Sequence, residues 1–473
     1  MHGAAPSSHW RDVLLPPEAA AAQVEIRQTS AMINNEWVGG TEKMVTLNPA
    51  TESAIGDVTN CREKEVDMAV EAATDAFYHG EWSQTGGYER GKMLNRLADL
   101  IEANAEELAL LECLDNGKTV GEATGADLPL TIQCYRYYAG WADKIHGSVV
   151  SPSGPVTGNN IFGYVEKEPV GVVGQIIPWN FPLLMQAWKL GPALATGCTS
   201  VLKVAPQTPL SALRVGELIQ EAGFPAGAVN IIPGDDETGK IVANHPGFDK
   251  IAFTGSTSVG KKIMGIAAES DNMKRVTLEL GGKSPLIVFA DADMEAALAG
   301  AHVGLFLNQG QCCCAGSRIF VEDSAYDEFV EKASAAARER TVGPGWMDGN
   351  AQGPQVSQEQ FDNVMGYINS GKAEGATLMA GGSRAHDQGY FIEPTVFADV
   401  SDDMTIAREE IFGPVMSIMK FSDIDEVVQR ANNTDYGLAA AIYSSDFPKA
   451  RQVAKKVPLP LPRCLCPPSS VRV

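Results

Sequence analysis

The chain has 473 residues, of which 44% are hydrophobic and 20% are charged, and this is typical of a globular protein with two or three domains. It carries 59 acidic and 37 basic side chains and a formal net charge of −22, which argues against nucleic acid and anionic membranes as partners. Nine cysteines in so long a chain do not form a disulfide framework, and they indicate a reducing compartment, with the cytosol as the expected location.

The N-terminal part of the chain predicts a flexible segment followed by helices. Residues 1–30 are alanine-rich and contain several acids, whereas a transit peptide is richer in arginine and poorer in acids. Met44 to Gly117 begins with a short extended stretch. The spacing of leucines from Arg90 to Leu114 then predicts one long amphipathic helix, which Asn116-Gly117 stops.

The middle of the chain alternates between apolar strands and helices. The predicted strands are Val170–Ile177, Ser200–Val204, Val229–Ile232, Ile251–Thr254 and Val276–Leu280. The predicted helices are Leu183–Thr196, opened by Pro182, Leu210–Ala222, closed by Gly223, and one that starts at Val259. This β-α-β alternation predicts a parallel, doubly wound sheet.

A second alternating set predicts a second α/β domain. Its strands are Leu286–Phe289, Arg318–Val321, Val415–Phe421 and Leu438–Ser444. Its helices are one from a cap at Asp291 or Asp293 to Phe306, then Tyr326–Arg338 and Ile424–Ala431. The predicted fold class is therefore α/β with two doubly wound parallel-sheet domains, with the chemistry between them, and residues 151–168 predict a β-hairpin insertion.

The C-terminal tail differs in composition. Residues 457–473 contain five prolines and cannot continue the helix predicted before them, so we expect this tail to be disordered. Cys464 and Cys466 lack further ligands at metal-binding spacing, and no metal site is predicted anywhere in the chain.

Two motifs carry groups suited to nucleophilic chemistry on an electrophilic carbon. Asn308 to Cys314 reads Asn-Gln-Gly-Gln-Cys-Cys-Cys, and Leu278 to Lys283 reads Leu-Glu-Leu-Gly-Gly-Lys. A thiol can attack such a carbon, and Glu279 can activate water to release the product. Spacing does not choose among the three cysteines. A buried trio packed as small hydrophobic groups is the alternative, whereas zinc is disfavoured because no histidine is spaced as a further ligand.

Asn180 lies just before the helix that Pro182 opens. Its amide, near the positive end of a helix, could stabilise a developing oxyanion. The alternative is that Asn180 simply caps the helix, since asparagine is a favoured cap. The presence of the cysteine run and Glu279 favours the oxyanion role.

Two glycine-containing turns are candidates for binding a pyrophosphate. The turn Gly234–Gly239 follows a predicted strand, but Asp236 occupies a position where a dinucleotide loop requires glycine. Gly255 and Ser256, at a strand end that opens a helix, form the better candidate.

In content and order, these motifs resemble the aldehyde dehydrogenase superfamily over about Ile33 to Lys456. The motifs are Ile176–Pro182, Lys203, Gly255–Gly260, Leu278–Lys283, Asn308–Cys314 and Glu410–Val415. Tyr135–Lys144 and Phe181–Trp188 are most similar to the general aldehyde and retinal dehydrogenases. The resemblance implies NAD(P)-dependent oxidation of a small-molecule aldehyde to a carboxylic acid.

The resemblance also implies roles for individual residues. The middle cysteine, Cys313, would be the nucleophile that forms a thiohemiacetal and then a thioester, with Glu279 as the base. Asn180 and the backbone N–H of Cys313 would stabilise the oxyanion. NAD is the expected cofactor, with NADP as the alternative because Pro206 stands where close relatives have a glutamate that bonds the ribose. The implied cofactor-binding residues are Ile176, Ile177, Pro178, Trp179, Lys203, Gly255, Ser256, Leu280, Gln360, Glu410 and Phe412.

The substrate pocket implied by the resemblance is apolar. It would be lined by Phe181, Met185, Trp188 and Leu307, which suits uncharged aldehydes. The implied domains are an NAD(P)-binding domain (31–150 and 169–280), an oligomerisation hairpin (151–168) and a catalytic domain (281–456).

Residues 457–473 do not match the final block and oligomerisation strand of the family. A homo-oligomer is expected from the resemblance, but it would form without the final oligomerisation strand of the family. A catalytically silent dinucleotide-binding protein is the alternative function, and a thiol esterase without redox chemistry is a third hypothesis. A mitochondrial location is the alternative to the cytosol.

Overall fold

The computed structural model describes residues 24–151 and 161–457. Most of the predicted N-terminal segment 1–30 lies outside these ranges, and so does the predicted tail apart from Val457. The expectations for both segments remain predictions.

The N-terminal part of the described chain contains two strand pairs and a group of helices. β1 (Ala31–Ile33) and β2 (Glu36–Val38) form one pair, and β3 (Lys43–Leu47) and β4 (Ala54–Thr59) form the other. The helices are α1 (Glu63–Tyr78), α2 (Gly87–Ala103), α3 (Ala105–Asn116), α4 (Val120–Glu122) and α5 (Leu128–Trp141), with a 3-10 turn at Glu81–Gln84 and a π-turn at Ala123–Asp127.

The single helix predicted from Arg90 to Leu114 is wrong, because Asn104 divides it. The Asn104 side chain donates to the carbonyl of Leu100 at 2.8 Å and thereby competes with the helical backbone. The backbone carbonyl of Asn104 then accepts from Leu108 at 3.0 Å, in the first turn of α3. The predicted stop is confirmed, since Gly117 closes α3 with a φ of 90°.

The predicted hairpin is present, but its strands lie at different positions. β5 (Ser148–Val150) pairs antiparallel with β6 (Gly163–Val165), so the first strand begins before residue 151.

The first large sheet has a parallel centre, as predicted. Its parallel strands are β7 (Val172–Ile176), β8 (Thr199–Val204), β9 (Val229–Pro233), β10 (Lys250–Thr254) and β11 (Arg275–Glu279). The order is β11-β10-β7-β8-β9-β1-β2, and the unpredicted strands β1 and β2 add an antiparallel edge. The connecting helices are α6 (Pro182–Ala195), α7 (Leu210–Ala222), α8 (Asp236–Asn244) and α9 (Thr257–Glu269).

The second sheet confirms the second α/β unit. Its strands are β12 (Pro285–Val288), β13 (Arg318–Glu322), β14 (Thr377–Ala380), β15 (Thr395–Ala398), β16 (Val415–Phe421) and β17 (Ala441–Tyr443). The order is β14-β15-β16-β13-β12-β17, parallel except at β14. The helices are α10 (Met294–Phe306, capped by Asp293), α11 (Asp323–Glu339), α12 (Gln358–Ala373), α13 (Thr405–Arg408), α14 (Ile424–Asn432) and α15 (Phe447–Lys456). The sequence did not predict α12, β14 or β15.

Apolar cores cover both faces of each sheet. On β8, for example, Leu202 packs into one core and Val201 into the core on the opposite face. No helix within the described ranges is long and apolar enough to cross a membrane.

The connection between the two sheets positions the site. Only residues 280–284 separate the carboxyl end of β11 from the amino end of β12. The carboxyl edge of the first sheet therefore lies next to the amino edge of the second.

Candidate active site

Four of the predicted site segments follow the carboxyl ends of strands in the first sheet. Asn180 follows β7, Lys203 lies near the end of β8, Gly255 and Ser256 follow β10, and Glu279 ends β11. Because these strands are parallel and in register, with Thr254 opposite Glu279, their ends lie along one edge. The strand order changes direction beside β7, and this is the position where open α/β sheets bind their ligands.

The cysteine run lies in a loop whose backbone is strained. The 3-10 turn Leu307–Gly310 follows α10, and Asn308, Gln309 and Gly310 have φ values of 52°, 59° and 75°. A Cβ at Gly310 would overlap the carbonyl of Gly413, so glycine is required there. Such strain persists only where the surrounding contacts impose it.

Hydrogen bonds from a third segment impose this conformation. The backbone N–H of Val356 donates to the Gln311 side chain at 3.0 Å, and the Gln309 side chain donates to the carbonyl of Pro354 at 3.0 Å. The loop therefore presents the cysteines from a fixed position.

Cys313 lies against the motif that carries Glu279. Cys313 is half-buried, and a Cβ at Gly282 would overlap its carbonyl oxygen. Only a glycine permits this approach, so the Leu278–Lys283 motif and the cysteine loop are in direct contact. The neighbouring sulfurs of Cys312 and Cys314 lie 3.4 Å from each other.

Glu279 is partly buried at the end of β11. Burial raises its pKa, and the nearby ammonium of Lys189 acts in the opposite direction. Burial in turn lowers the pKa of Lys189 to about 8, while Glu279 opposes that change. A carboxylate with a raised pKa is the type of group that accepts a proton near neutral pH.

Asn180 is buried and faces the cysteine loop. It is 2% exposed, and its Nδ2 donates to the carbonyl of Gln311 at 3.1 Å, next to the cysteine run. Glu112, and not Asn180, accepts the N–H of Leu183 in the first turn of α6, at 2.9 Å. The capping alternative for Asn180 is therefore wrong, and its amide is directed toward the loop that carries the thiols.

Four of the predicted cofactor-binding residues, Trp179, Gln360, Glu410 and Phe412, lie close to one another. The rings of Trp179 and Phe412 pack edge to face at 5.3 Å, and the Gln360 side chain donates to the carbonyl of Phe412 at 2.8 Å. The backbone N–H of Gly282 donates to Glu410 at 3.1 Å. Burial raises the pKa of Glu410 to about 7, although that N–H and Lys283 favour its charged form.

The two candidate pyrophosphate turns differ in whether a carboxylate of the protein already occupies the helix end. In the Gly234–Gly239 turn, the Asp235 carboxylate itself accepts from the first N–H groups of α8, at 2.9 Å from Glu237, and it pairs with Arg62 at 2.8 Å. An anion of the protein thus occupies that helix end. Ser256 is exposed and caps the 13-residue helix α9, so the end of that helix faces solvent.

The edge of the sheet fits a dinucleotide. Lys203 is almost fully buried, and burial lowers its pKa to about 8 while Asp236 and Asp235 act against the change. The buried Thr254 hydroxyl, at the end of β10, has no hydrogen-bond partner among the described residues. These groups are suited to the parts of a dinucleotide. The Lys203 ammonium, the Thr254 hydroxyl and the Glu410 carboxylate can bind ribose hydroxyls. The solvent-facing amino end of α9 can bind phosphate.

The other predicted site residues lie near these groups. Ile176 and Ile177 are buried, whereas Pro178 and Leu280 are partly exposed. Among the predicted pocket residues, Phe181 and Met185 belong to the first apolar core, and Trp188 and Leu307 pack against it together with Cys312. All four predicted pocket residues therefore lie in, or pack against, the same apolar core as Cys312.

Several buried or partly buried charged residues around Asn180 and Glu279 were not predicted from the sequence. These are Glu112, Lys118, Asp127 and Lys189. The first three are almost completely buried, and Lys118 contacts both carboxylates. In the sequence they resemble surface charges, because such residues are rarely buried. The only available signal was the Asn116-Gly117 turn, which reverses the chain so that Lys118 contacts Glu112 of α3.

A thiol, a carboxylate and an amide donor near the edge of a doubly wound sheet are the arrangement expected of an α/β enzyme. Residues 37–459 match the model of the aldehyde dehydrogenase family, and the chain belongs to this family of oxidoreductases. The predicted family, enzyme class and fold class are thereby confirmed.

Relatives and solved structures agree with this assignment. Mitochondrial aldehyde dehydrogenase of Mesocricetus auratus is 56% identical over 437 residues, which are 92% of this chain and 86% of that protein. The Homo sapiens mitochondrial aldehyde dehydrogenase is 55% identical over 437 residues, at 92% and 83% coverage. The NAD+ complex of aldehyde dehydrogenase from Bacillus cereus superposes with a TM-score of 0.89 at 48% identity, covering 94% of this chain and 90% of that one.

Proposed function

We propose that this protein oxidises uncharged aldehydes to carboxylic acids with NAD, with Cys313 as the nucleophile. The observation that carries the proposal is the direct contact of Gly282 with the Cys313 carbonyl, which brings the Glu279 motif to the thiol loop. The chemical residues lie together, which favours an enzyme over the catalytically silent alternative.

The first half of the reaction acylates Cys313. Its thiolate attacks the aldehyde carbon and forms a C–S bond, and the carbonyl oxygen becomes an oxyanion. The Asn180 amide and the Cys313 N–H donate to that oxyanion, and one such donor contributes about 3–4 kcal/mol. NAD, when bound, supplies the acceptor for the hydride that leaves the carbon. The product of this half is a thioester on Cys313.

The second half hydrolyses the thioester. Glu279 takes a proton from water, the resulting hydroxide adds to the thioester carbon, and the C–S bond breaks to release the acid and the Cys313 thiolate. Lys189 stabilises the charged form of Glu279 between turnovers. A thiol esterase would use the same groups but would not need the cofactor residues.

The cofactor is assigned to the edge of the first sheet. Lys203 and Glu410 would hold its two riboses, and Gly255 and Ser256 its pyrophosphate. Residues 31–150 and 169–280 then form the NAD-binding domain, and residues 281–456 form the catalytic domain. The Bacillus cereus relative was solved with NAD+, which supports NAD over NADP.

The Glu279→Gln variant tests the order of these steps. It should still reduce one equivalent of NAD in a pre-steady-state burst, because acylation does not need the base, and then turn over slowly. Intact-mass spectrometry should find the acyl group on Cys313. A variant that shows neither a burst nor an adduct would contradict the assignment of Glu279 to deacylation.

The family resemblance and the exposed hairpin support a homo-oligomer. The β5–β6 hairpin exposes Val149, Phe162 and Tyr164, each 69% exposed, and a second copy of the chain could cover them.

The mammalian relatives named above are mitochondrial, which favours the mitochondrion over the cytosol. Fractionation of cells that express the tagged chain tests this location.

A further inference from the structure

A buried ammonium lies beneath the peptide that follows Asn180. Lys118 has no exposed surface, and its Nζ donates to the backbone carbonyl of Asn180 at 3.2 Å. The same Nζ contacts the carboxylate of Asp127 and lies 3.2 Å from that of Glu112. A buried charge is stable only when it is paired and hydrogen-bonded, and these contacts meet that need.

Three side chains from two segments of the chain converge on the Asn180 carbonyl. Nδ2 of Asn308 donates at 2.6 Å and Nζ of Lys118 at 3.2 Å. Nδ2 of Asn116 is shared between the Asn180 carbonyl, at 3.3 Å, and the preceding carbonyl of Trp179, at 2.8 Å. We name Asn116, Lys118 and Asn308 the carbonyl clamp. Three donors on one oxygen fix the orientation of that peptide, and thus the direction in which the Asn180 side chain leaves the backbone.

The carboxylates connect the carbonyl clamp to the helix that follows Asn180. Glu112 accepts from the N–H of Leu183 at 2.9 Å and from the hydroxyl of Ser211 at 3.1 Å. Burial disfavours the charge on Lys118, but Asp127 and Glu112 raise its pKa overall. The start of α6 and the Asn180 peptide therefore share one charged, rigid support.

We propose that the carbonyl clamp, with Lys118 as its charged member, positions the Asn180 amide for oxyanion stabilisation. Lys118 touches the peptide of Asn180 and not the reacting atoms, so it is a positioning residue. The Asn180 amide that it supports lies 3.1 Å from the carbonyl of Gln311, beside the cysteine run. The inference rests on the proposed role of Asn180.

The test compares two reactions of the same thiol in the full chain. Acylation of Cys313 by p-nitrophenyl acetate passes through a tetrahedral oxyanion, whereas alkylation by iodoacetamide does not. Lys118→Met keeps the side-chain length and removes the ammonium. We expect acylation to fall by about 10- to 100-fold, because small errors in position are costly, while alkylation changes little.

Lys274→Met is the matched control. Lys274 is also buried, and its Nζ also donates to backbone carbonyls, at 3.1 Å from Ala243 and 2.7 Å from His245. It precedes β11, at the opposite end of the strand from Glu279. Its replacement should lower the thermal midpoint without changing the ratio of acylation to alkylation. Equal losses of both reactions in Lys118→Met would overturn the proposal.

A double-mutant cycle with Asn180→Ala shows whether Lys118 acts through Asn180. If it does, adding Lys118→Met to Asn180→Ala should cause no further loss of acylation. Additive losses, or full acylation in Lys118→Met beside a deficient Asn180→Ala, would refute this inference alone. Full acylation in Asn180→Ala would instead refute the oxyanion role given under the proposed function.

Asn116→Ala keeps the test decisive if Lys118→Met does not fold. This neutral truncation removes the donor that the Asn180 and Trp179 carbonyls share, and it leaves no buried charge unpaired. It should lower acylation selectively, by less than the loss in Asn180→Ala. An unchanged ratio of acylation to alkylation in this variant would also overturn the proposal.

Discussion

At the scale of single residues, the three adjacent cysteines have different expected roles. Cys313→Ala should abolish both aldehyde-dependent NAD reduction and ester hydrolysis, because the nucleophile is lost. Cys312→Ala and Cys314→Ala should keep most of both activities, since only Cys313 is assigned to bond formation. The three variants can be compared in one kinetic assay, and loss of activity confined to Cys314→Ala would contradict the assignment.

The pH dependence of turnover reports on Glu279. Burial raises its pKa and Lys189 lowers it, and only the deprotonated carboxylate can take a proton from water. Turnover limited by deacylation should therefore fall as the pH drops through the raised pKa. Lys189→Met removes the opposing cation, so the acid limb of the kcat profile should move to higher pH.

The control for this prediction is an exposed lysine. Lys332 pairs with Glu295 at 2.8 Å on the surface of α11, away from Glu279, so Lys332→Met should leave the profile unchanged. An acid limb that stays in place or moves to lower pH in Lys189→Met would show that Lys189 does not influence the base.

At the scale of elements, the contact between the Glu279 motif and the cysteine loop depends on Gly282. A Cβ there would overlap the Cys313 carbonyl, so Gly282→Ala must displace either the nucleophile loop or the Glu279 motif. We expect kcat to fall by on the order of 100-fold, because small misplacements of reacting groups have effects of that size.

Gly265→Ala is the matched control in the same region of the chain. Gly265 lies within α9, and a Cβ there meets nothing within 4 Å. The substitution should leave kcat unchanged and raise the free energy of unfolding by about 0.5–1 kcal/mol, because alanine favours a helix. Wild-type turnover in Gly282→Ala would show that the contact is not needed.

At the scale of the whole molecule, the hairpin is the expected site of self-association. Phe162→Asp combined with Tyr164→Asp would place two charges on its exposed apolar surface, and the mass measured by light scattering should fall. Tyr88→Asp, the same kind of substitution at a residue that is 66% exposed on α2, should leave the mass unchanged. An unaltered mass in the hairpin variant would place the interface elsewhere.

The sequence by itself determined most strands and helices of the two sheets and pointed to the candidate reactive groups. The apolar pattern and the glycine that follows it predicted both ends of α7 and its cap at Gly223 correctly. The apolar pattern also predicted both ends of β16 correctly. The order of motifs along the chain identified the family. Local signals were sufficient in these places because a strand, a cap or a motif is encoded by neighbouring residues.

Only the tertiary structure decided how those groups are held. The carbonyl clamp joins Asn116, Lys118 and Asn308, and the last of these is 128 positions from Asn180. Lys118 looks like a surface charge until the fold buries it between two carboxylates, and Asn180 looks like a cap until Glu112 is found in that place. Such contacts depend on where distant segments meet, and burial and pairing of charge are properties of that packing, which local sequence does not encode.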